Sequence, residues 1–250
     1  MLTIAGRELR SLFLSPLAWS VLAVVQLILA YVFLIQIESF LQWQPRLPSI
    51  PNAPGLTALV VAPLFKTAGA VLMMIVPVLT MRLVSEEIRS GTFSLLLTAP
   101  RTMTEIVAGK FTAIVIFLCF TIALILIMPL LLLLGGTLDF GLLAACVVGL
   151  FFLLASFAAA GLYMSTLTAQ PTVAAVSTFG LLLLLWVLDW AGAAGDTDAS
   201  GLFAYLSLAT HANAMLRGVF DTRDLVYYVL FILSFLTLAV KRLDAMRLQG

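Results

Sequence analysis

The sequence predicts an all-α, polytopic membrane protein with six transmembrane helices, both termini in the cytoplasm and a short interfacial helix at the N-terminus. Three observations predict it. Hydrophobic residues make up 63% of the chain and charged residues only 10%, far from the mix of a soluble domain. Six apolar runs, 17–37, 67–81, 111–134, 140–167, 171–188 and 225–240, approach the roughly 20 helical residues that cross a hydrocarbon core. None alternates with period two, so the amides that lipid cannot satisfy must bond within helices and not around a barrel.

The elements follow in order within a single transmembrane domain covering 1–250. Residues 1–15 place Ala5, Leu9, Leu12 and Phe13 at helical spacing, with Arg7, Glu8, Arg10 and Ser11 opposite, a pattern suited to a helix lying in the membrane interface. Ser15-Pro16 turns the chain into the first span, because proline is tolerated in a first helical turn. That span is too long for a signal-peptide core and no Ala-x-Ala-like site follows, so it reads as a retained anchor. The segment 38–66 reads as an extracytoplasmic loop, extended by Pro45, Pro48, Pro51, Pro54 and Pro63 and carrying Trp43. The second run is short and interrupted by Pro77; Leu64 and Phe65 complete it.

Segment 82–110 is the polar island between two long apolar runs. Residues 82–90 predict a short helix, and Gly91 stops it because glycine enters the left-handed cap without penalty. Residues 93–97 form an apolar knob ended by Ala99-Pro100. Thr102 and Glu105 have capping-box spacing, which starts the third helix before the membrane begins. Helix, break, knob, helix is more than a connector between two spans needs. Two readings stay open: a solvated hairpin, or a docking element for a cytosolic partner, favoured by an apolar knob beside Glu86, Glu87 and Arg89.

Charge placement sets the orientation. With the N-terminus inside, Arg7, Arg10, Arg82, Arg89, Arg101, Lys110, Lys241, Arg242 and Arg247 are cytoplasmic, and only Arg46, Lys66, Arg217 and Arg223 are outside. The net charge of +1 gives no reason to propose nucleic acid; the lipid bilayer is the partner the composition requires. Cys119 and Cys146 lie inside predicted spans without metal-ligand spacing and read as apolar fillers.

Between the last two spans, 189–224 reads as a second extracytoplasmic loop. Its Asp196 and Asp198 read as solvated acids, and its His211 as an interfacial loop residue and not a catalyst. The apolar part carries Tyr205, His211, Asn213 and Arg217, and is either a re-entrant structure or an interfacial anchor. In the fourth span Gly149, Ala155, Ala158, Ala159, Ala160 and Gly161 allow close helix approach, assigned to packing within the subunit. None of the six apolar runs contains an ionisable residue, which argues against a proton-driven carrier. Gly109-Lys110 lacks the first glycine and the Ser/Thr of a phosphate loop, and no hydrolase motif is present, so the chain is expected to be no enzyme and to bind no cofactor itself.

The run Arg-Leu-Val-Ser-Glu-Glu-Ile-Arg-Ser-Gly-Thr over 82–92, the Leu-Leu-Thr-Ala-Pro that ends at Pro100 and the Glu-Ile-Val-x-Gly-Lys over 105–110 resemble the signature of ABC-2-type transporter permeases. Arg7-Glu8-Leu9, Phe13, Ser15-Pro16, and the later Arg217-Gly-Val-Phe-Asp221-x-Arg-Asp224 with Tyr227-Tyr228, are similar to the gliding-motility-associated branch. The resemblance implies a permease of the bacterial inner membrane, paired with a second permease copy or a related permease. It implies two copies of a cytosolic ABC ATPase subunit that binds ATP and magnesium, and leaves room for an extracytoplasmic auxiliary membrane protein. It also implies a coupling helix, carried onto Arg82, Glu86, Glu87, Arg89, Gly91, Thr92, Leu95, Leu96 and Leu97, with an interfacial helix carrying Arg7, Glu8 and Arg10. A candidate outer gate falls on Tyr205, His211, Asn213, Arg217 and Asp221. Phe93-Ser94 departs from relatives that carry Glu before the leucine run. The alternatives are a structural subunit anchoring an envelope or motility complex without cargo, and a channel or secondary carrier.

Overall fold

Residues 2–45, 55–92, 102–134, 137–193, 205–219 and 221–249 are described by a computed structural model of the chain. Among them there is no strand, and six helices are long and apolar enough to cross a membrane. The chain is an all-α polytopic protein of nine helices among the described residues: α1 (Leu2–Leu14), α2 (Pro16–Trp43), α3 (Ala62–Thr80), α4 (Ser85–Arg89), α5 (Met103–Leu131), α6 (Phe140–Leu167), α7 (Pro171–Ala193), α8 (Leu208–Leu216) and α9 (Thr222–Gln249). An even number of spans returns the chain to the side where it began. α1, α4 and the last turns of α9 therefore share one end of the bundle, called here the terminal end, and α8 lies at the far end.

The spanning helices are longer than the apolar runs. α2 continues through Glu38 to Trp43, and a π-helical turn, Thr57–Val61, leads into α3, so the described flanks of the loop expected over 38–66 are helical, while its Pro48, Pro51 and Pro54 lie outside the described residues. α7 likewise continues through Asp189, and α9 begins at Thr222, which shortens the loop expected over 189–224. The six apolar runs are free of ionisable groups, as the sequence reads, but the longer helices enclose some at their margins: Glu38 in α2, Lys66 in α3, Lys110 in α5, Asp189 in α7 and Asp224 in α9. The Phe93–Leu97 knob with Leu95, Leu96 and Leu97, and the acids Asp196 and Asp198, lie outside the described residues.

α6 is the central post, in contact with α3, α5, α7, α8 and α9. Its small residues let neighbours close in, and they are used within this chain, as the sequence predicts. A Cβ on Gly161 would collide with the Thr80 side chain of α3, and one on Gly149 would come within 3.0 Å of the Met215 Cβ of α8. α2, α7 and α9 are peripheral and turn Leu27, Leu34, Val176, Leu184 and Leu230 outward, the surface a bilayer covers.

Helix ends follow the local sequence. Thr102 caps α5, its Oγ1 accepting from the Glu105 amide at 3.3 Å, as the capping box predicts. Asp139 caps α6 by accepting from the amides of Gly141 and Leu142 at 2.9 and 3.2 Å. Gly91 ends α4 at φ +72°, the left-handed stop expected there.

Candidate functional site

Two side-chain clusters stand out, one at each end. At the terminal end α1 lays its apolar face on α5: the Phe13 ring packs edge-on against Phe117 and Phe120, each at 5.4 Å, and the Trp19 indole donates to the Phe13 carbonyl at 2.7 Å. This fixes the polar side of α1 over the start of α5. Lys110, two turns into α5, is 1% exposed. Its ammonium donates to Glu8 Oε1 of α1 at 3.1 Å and to Glu87 Oε1 of α4 at 2.8 Å. The Arg7 guanidinium lies 3.1 Å from Glu8 Oε1 and 3.6 Å from Glu87 Oε1. Two cations and two carboxylates thus form a quartet of no formal net charge.

Burying an ammonium is costly unless opposite charges and hydrogen bonds surround it, and here two carboxylates do so. The quartet joins three elements that are far apart in sequence. It also corrects two expectations. Glu8 is not on the solvent side of α1 with Arg10, which is exposed, but turned inward. Lys110, read as a topology charge, is a buried structural cation.

Around the quartet α4 is anchored from below. Leu83, Val84 and Ser85 are buried, and the Ser85 hydroxyl donates to the Met81 carbonyl. Its outer face is open: Glu86 and Arg82 are exposed and 3.9 Å apart, and Arg89 and Gly91 are exposed beside them. Thr92, also exposed, donates to the Glu87 carbonyl at 3.4 Å and shares a 2.8 Å bond with Ser90. One cleft of about 570 Å³ separates α4 from α1, and another of about 920 Å³ separates it from residues 169–172 between α6 and α7. Glu86 and Glu87, neighbours in sequence, therefore have different surroundings: Glu86 faces the clefts and Glu87 the buried ammonium.

The far-end cluster is built on α8 and α9. His211 is not in a loop but on α8, and it is buried. Its Nδ1 lies 2.6 Å from Asp224 Oδ1 and its Nε2 2.9 Å from the Tyr205 carbonyl oxygen. Its ring stacks on Tyr227 at 4.2 Å, and Tyr205 meets it edge-on at 5.5 Å. Tyr227 and Tyr228 donate to the carbonyls of Leu206 and Leu208 at 2.7 and 2.9 Å. On the opposite flank the Thr210 hydroxyl donates to Asp189 of α7 at 2.7 Å.

Of the residues expected at this end, the fold brings Tyr205 and His211 together and keeps the others apart. Asn213 lines a small cavity of about 10 Å³ with Lys66 and Trp186. Arg217 is exposed at the end of α8, where Gly218 at φ +81° turns the chain. Asp221 accepts from the Arg223 amide at 3.0 Å and opens α9. Asp224, Tyr227 and Tyr228 are the members not singled out as site residues. Their spacing of three and four residues puts them on one helical face, which is the signal that could have found them.

The chain matches no known family profile, and it matches no protein in a search of curated sequences.

Proposed function

We propose that the chain is the permease subunit of an ABC transporter in a bacterial inner membrane, oriented with the terminal end in the cytoplasm. The orientation rests on the excess of Lys and Arg at that end. On this reading α4 and the segment that follows it receive a cytosolic ATPase subunit, present in two copies, that binds ATP and magnesium. A second permease copy or a related permease completes the membrane part. The chain itself performs no hydrolysis.

One observation carries the reading: a five-residue helix with an open charged face is tied through Lys110 to both α1 and α5. A loop that only connected two spans would need no such tie. A handle that takes up force from a partner does, because a push on α4 must reach spanning helices without being lost in a hinge. Lys110 donates to a carboxylate from each side, so displacement of α4 drags on α1 and on the start of α5 together. The open face of Arg82, Glu86 and Arg89, between two clefts, is where the partner would bear.

The test is affinity purification of the tagged chain from native membranes in mild detergent, followed by mass spectrometry of stoichiometric partners. A cytosolic ATPase in the eluate is the expected result. Recovery of the chain with large exported proteins and no ATPase would favour the structural anchor, and ion flux in liposomes without any ATPase would favour the channel or carrier.

A further inference from the structure

Three backbone carbonyls on the approach to α8, those of Tyr205, Leu206 and Leu208, each accept a hydrogen bond from a cluster side chain. Two of the donors are phenols, Tyr227 and Tyr228, which carry their proton across any ordinary pH. The third is the His211 ring, and its donation is conditional. A carbonyl oxygen only accepts, and an ionised carboxylate only accepts. With Nε2 at 2.9 Å from the Tyr205 carbonyl and Nδ1 at 2.6 Å from Asp224, both contacts are hydrogen bonds only when the ring and the carboxylate hold two protons between them.

We propose that His211 is a proton-dependent latch that ties the segment 205–208 to α9 through Asp224. When the pair gives up one proton to water, a single ring proton remains. The Asp224 charge holds that proton on Nδ1, so Nε2 presents a lone pair to the Tyr205 carbonyl and the two repel. Loss of the bond at the Tyr205 carbonyl frees the peptide plane between Tyr205 and Leu206, and with it the Leu206 side chain, while the Leu206 and Leu208 carbonyls keep their phenol bonds. The sign follows from the proton count: the latched state holds one proton more than the released state, so it is favoured toward acid and disfavoured toward base. The groups facing the ring and its helix are Asp224, Tyr227 and Tyr228 from α9 and Tyr205 from the approach segment, with Asp189 of α7 held on Thr210, Lys66 of α3 beside Asn213 and Cys146 of α6 against the Leu216 carbonyl. None but the ring and its carboxylate must change protonation for the latch to act. The latch deepens the permease reading only in making this segment an outer gate; the bonding pattern stands without that reading.

The chain has one histidine, so its imidazole is observed without assignment. Protein labelled with ¹⁵N-histidine in lipid nanodiscs is titrated from about pH 5.5 to about pH 8.5 by NMR, spanning the ordinary imidazole range. Alongside it, a spin label at Leu206→Cys, with Cys119→Ser and Cys146→Ala, reports motion of the segment. The expected result is two protonated ring nitrogens at the acid end, one transition to the Nδ1-protonated form, and a rise in label mobility with the same midpoint. Asp224→Asn is expected to lose both the Nδ1 preference and the pH response of the label. A ring neutral throughout with its proton on Nε2, a ring that never titrates, or a ring transition that leaves the label unmoved would each overturn the latch. The NMR arm uses the unaltered chain, so misfolding of a variant does not decide it. No ATPase is involved, so failure of the latch and failure of the permease reading are separate results.

Discussion

The charge quartet at the terminal end and the histidine cluster at the far end hold short helices against the same post in opposite ways. The quartet fixes the five residues of α4 with long, flexible, charged side chains drawn from Arg7, Glu8, Glu87 and Lys110, with Lys110 bonded to a partner 102 positions away. The histidine cluster fixes the nine residues of α8 with rigid rings drawn from 205–228. Flexible ion pairs keep their bonds while the elements they join shift by an ångström or so; stacked rings do not. The terminal end can thus follow a small displacement with its bonds intact, whereas the far end holds one geometry until a bond is broken.

The largest expected effect tests whether the two ends are independent. Lys110→Met leaves Glu8 and Glu87 facing each other with only the exposed Arg7 guanidinium near both, and breaking a buried pair in this way costs about 3 kcal/mol. Thermal unfolding in detergent should show the loss, and hydrogen exchange should show α1 and α4 loosened with α8 still protected. Adding Glu8→Gln and Glu87→Gln to Lys110→Met should recover most of the stability, since the repulsion disappears with the charges. Equal loosening of α8 would show that the ends are one cooperative unit and would remove the contrast.

The two ends also differ in how legible they were. The spans, the α4 stop at Gly91 and the Thr102 cap were readable because each rests on a run, a spacing or a glycine within one helical turn of its effect. The histidine cluster was half readable: Tyr205 and His211 were singled out, while Asp224, Tyr227 and Tyr228 needed the face of α9 to be known. The quartet was not readable as a site, because a lysine after Gly109 looks the same whether it meets solvent or two carboxylates from α1 and α4. Only the packing of Phe13 on Phe117 and Phe120 turns Glu8 inward, and that contact spans more than a hundred residues.

A smaller perturbation probes the far end alone. Gly149→Ala puts a methyl 3.0 Å from the Met215 Cβ, an atom fixed to the α8 backbone that cannot swing away, so α8 must shift at a cost of about 2 kcal/mol. Exchange should rise in α8 and stay unchanged in α4. Smaller again is Tyr228→Phe, which removes the donor to the Leu208 carbonyl, worth about 1 kcal/mol, and keeps the packing of the ring on Phe152. If that substitution unlatched the whole segment 205–208, the three carbonyl bonds would be cooperative and not separate.

The smallest effect on stability sharpens the terminal end most. A charge reversal at both Glu86 and Glu87 would be a confounded test of docking, since Glu87→Lys sets a second ammonium against Lys110 and dismantles the quartet. Glu86→Lys alone does not: Glu86 is exposed, and its 3.9 Å approach to Arg82 is a surface pair worth about 0.5 kcal/mol or less. Its thermal midpoint should stay within about 2 °C of the parent. If the open face of α4 receives an ATPase, stimulation of that ATPase by Glu86→Lys should fall several-fold, and a charge reversal on the partner's facing surface should restore part of it. Lys110→Met should also lower stimulation, but with α1 and α4 loosened and with no rescue from the partner's side. The two substitutions separate receiving the force from passing it on. Unchanged stimulation by Glu86→Lys, at unchanged stability, would move the contact away from the open face of α4.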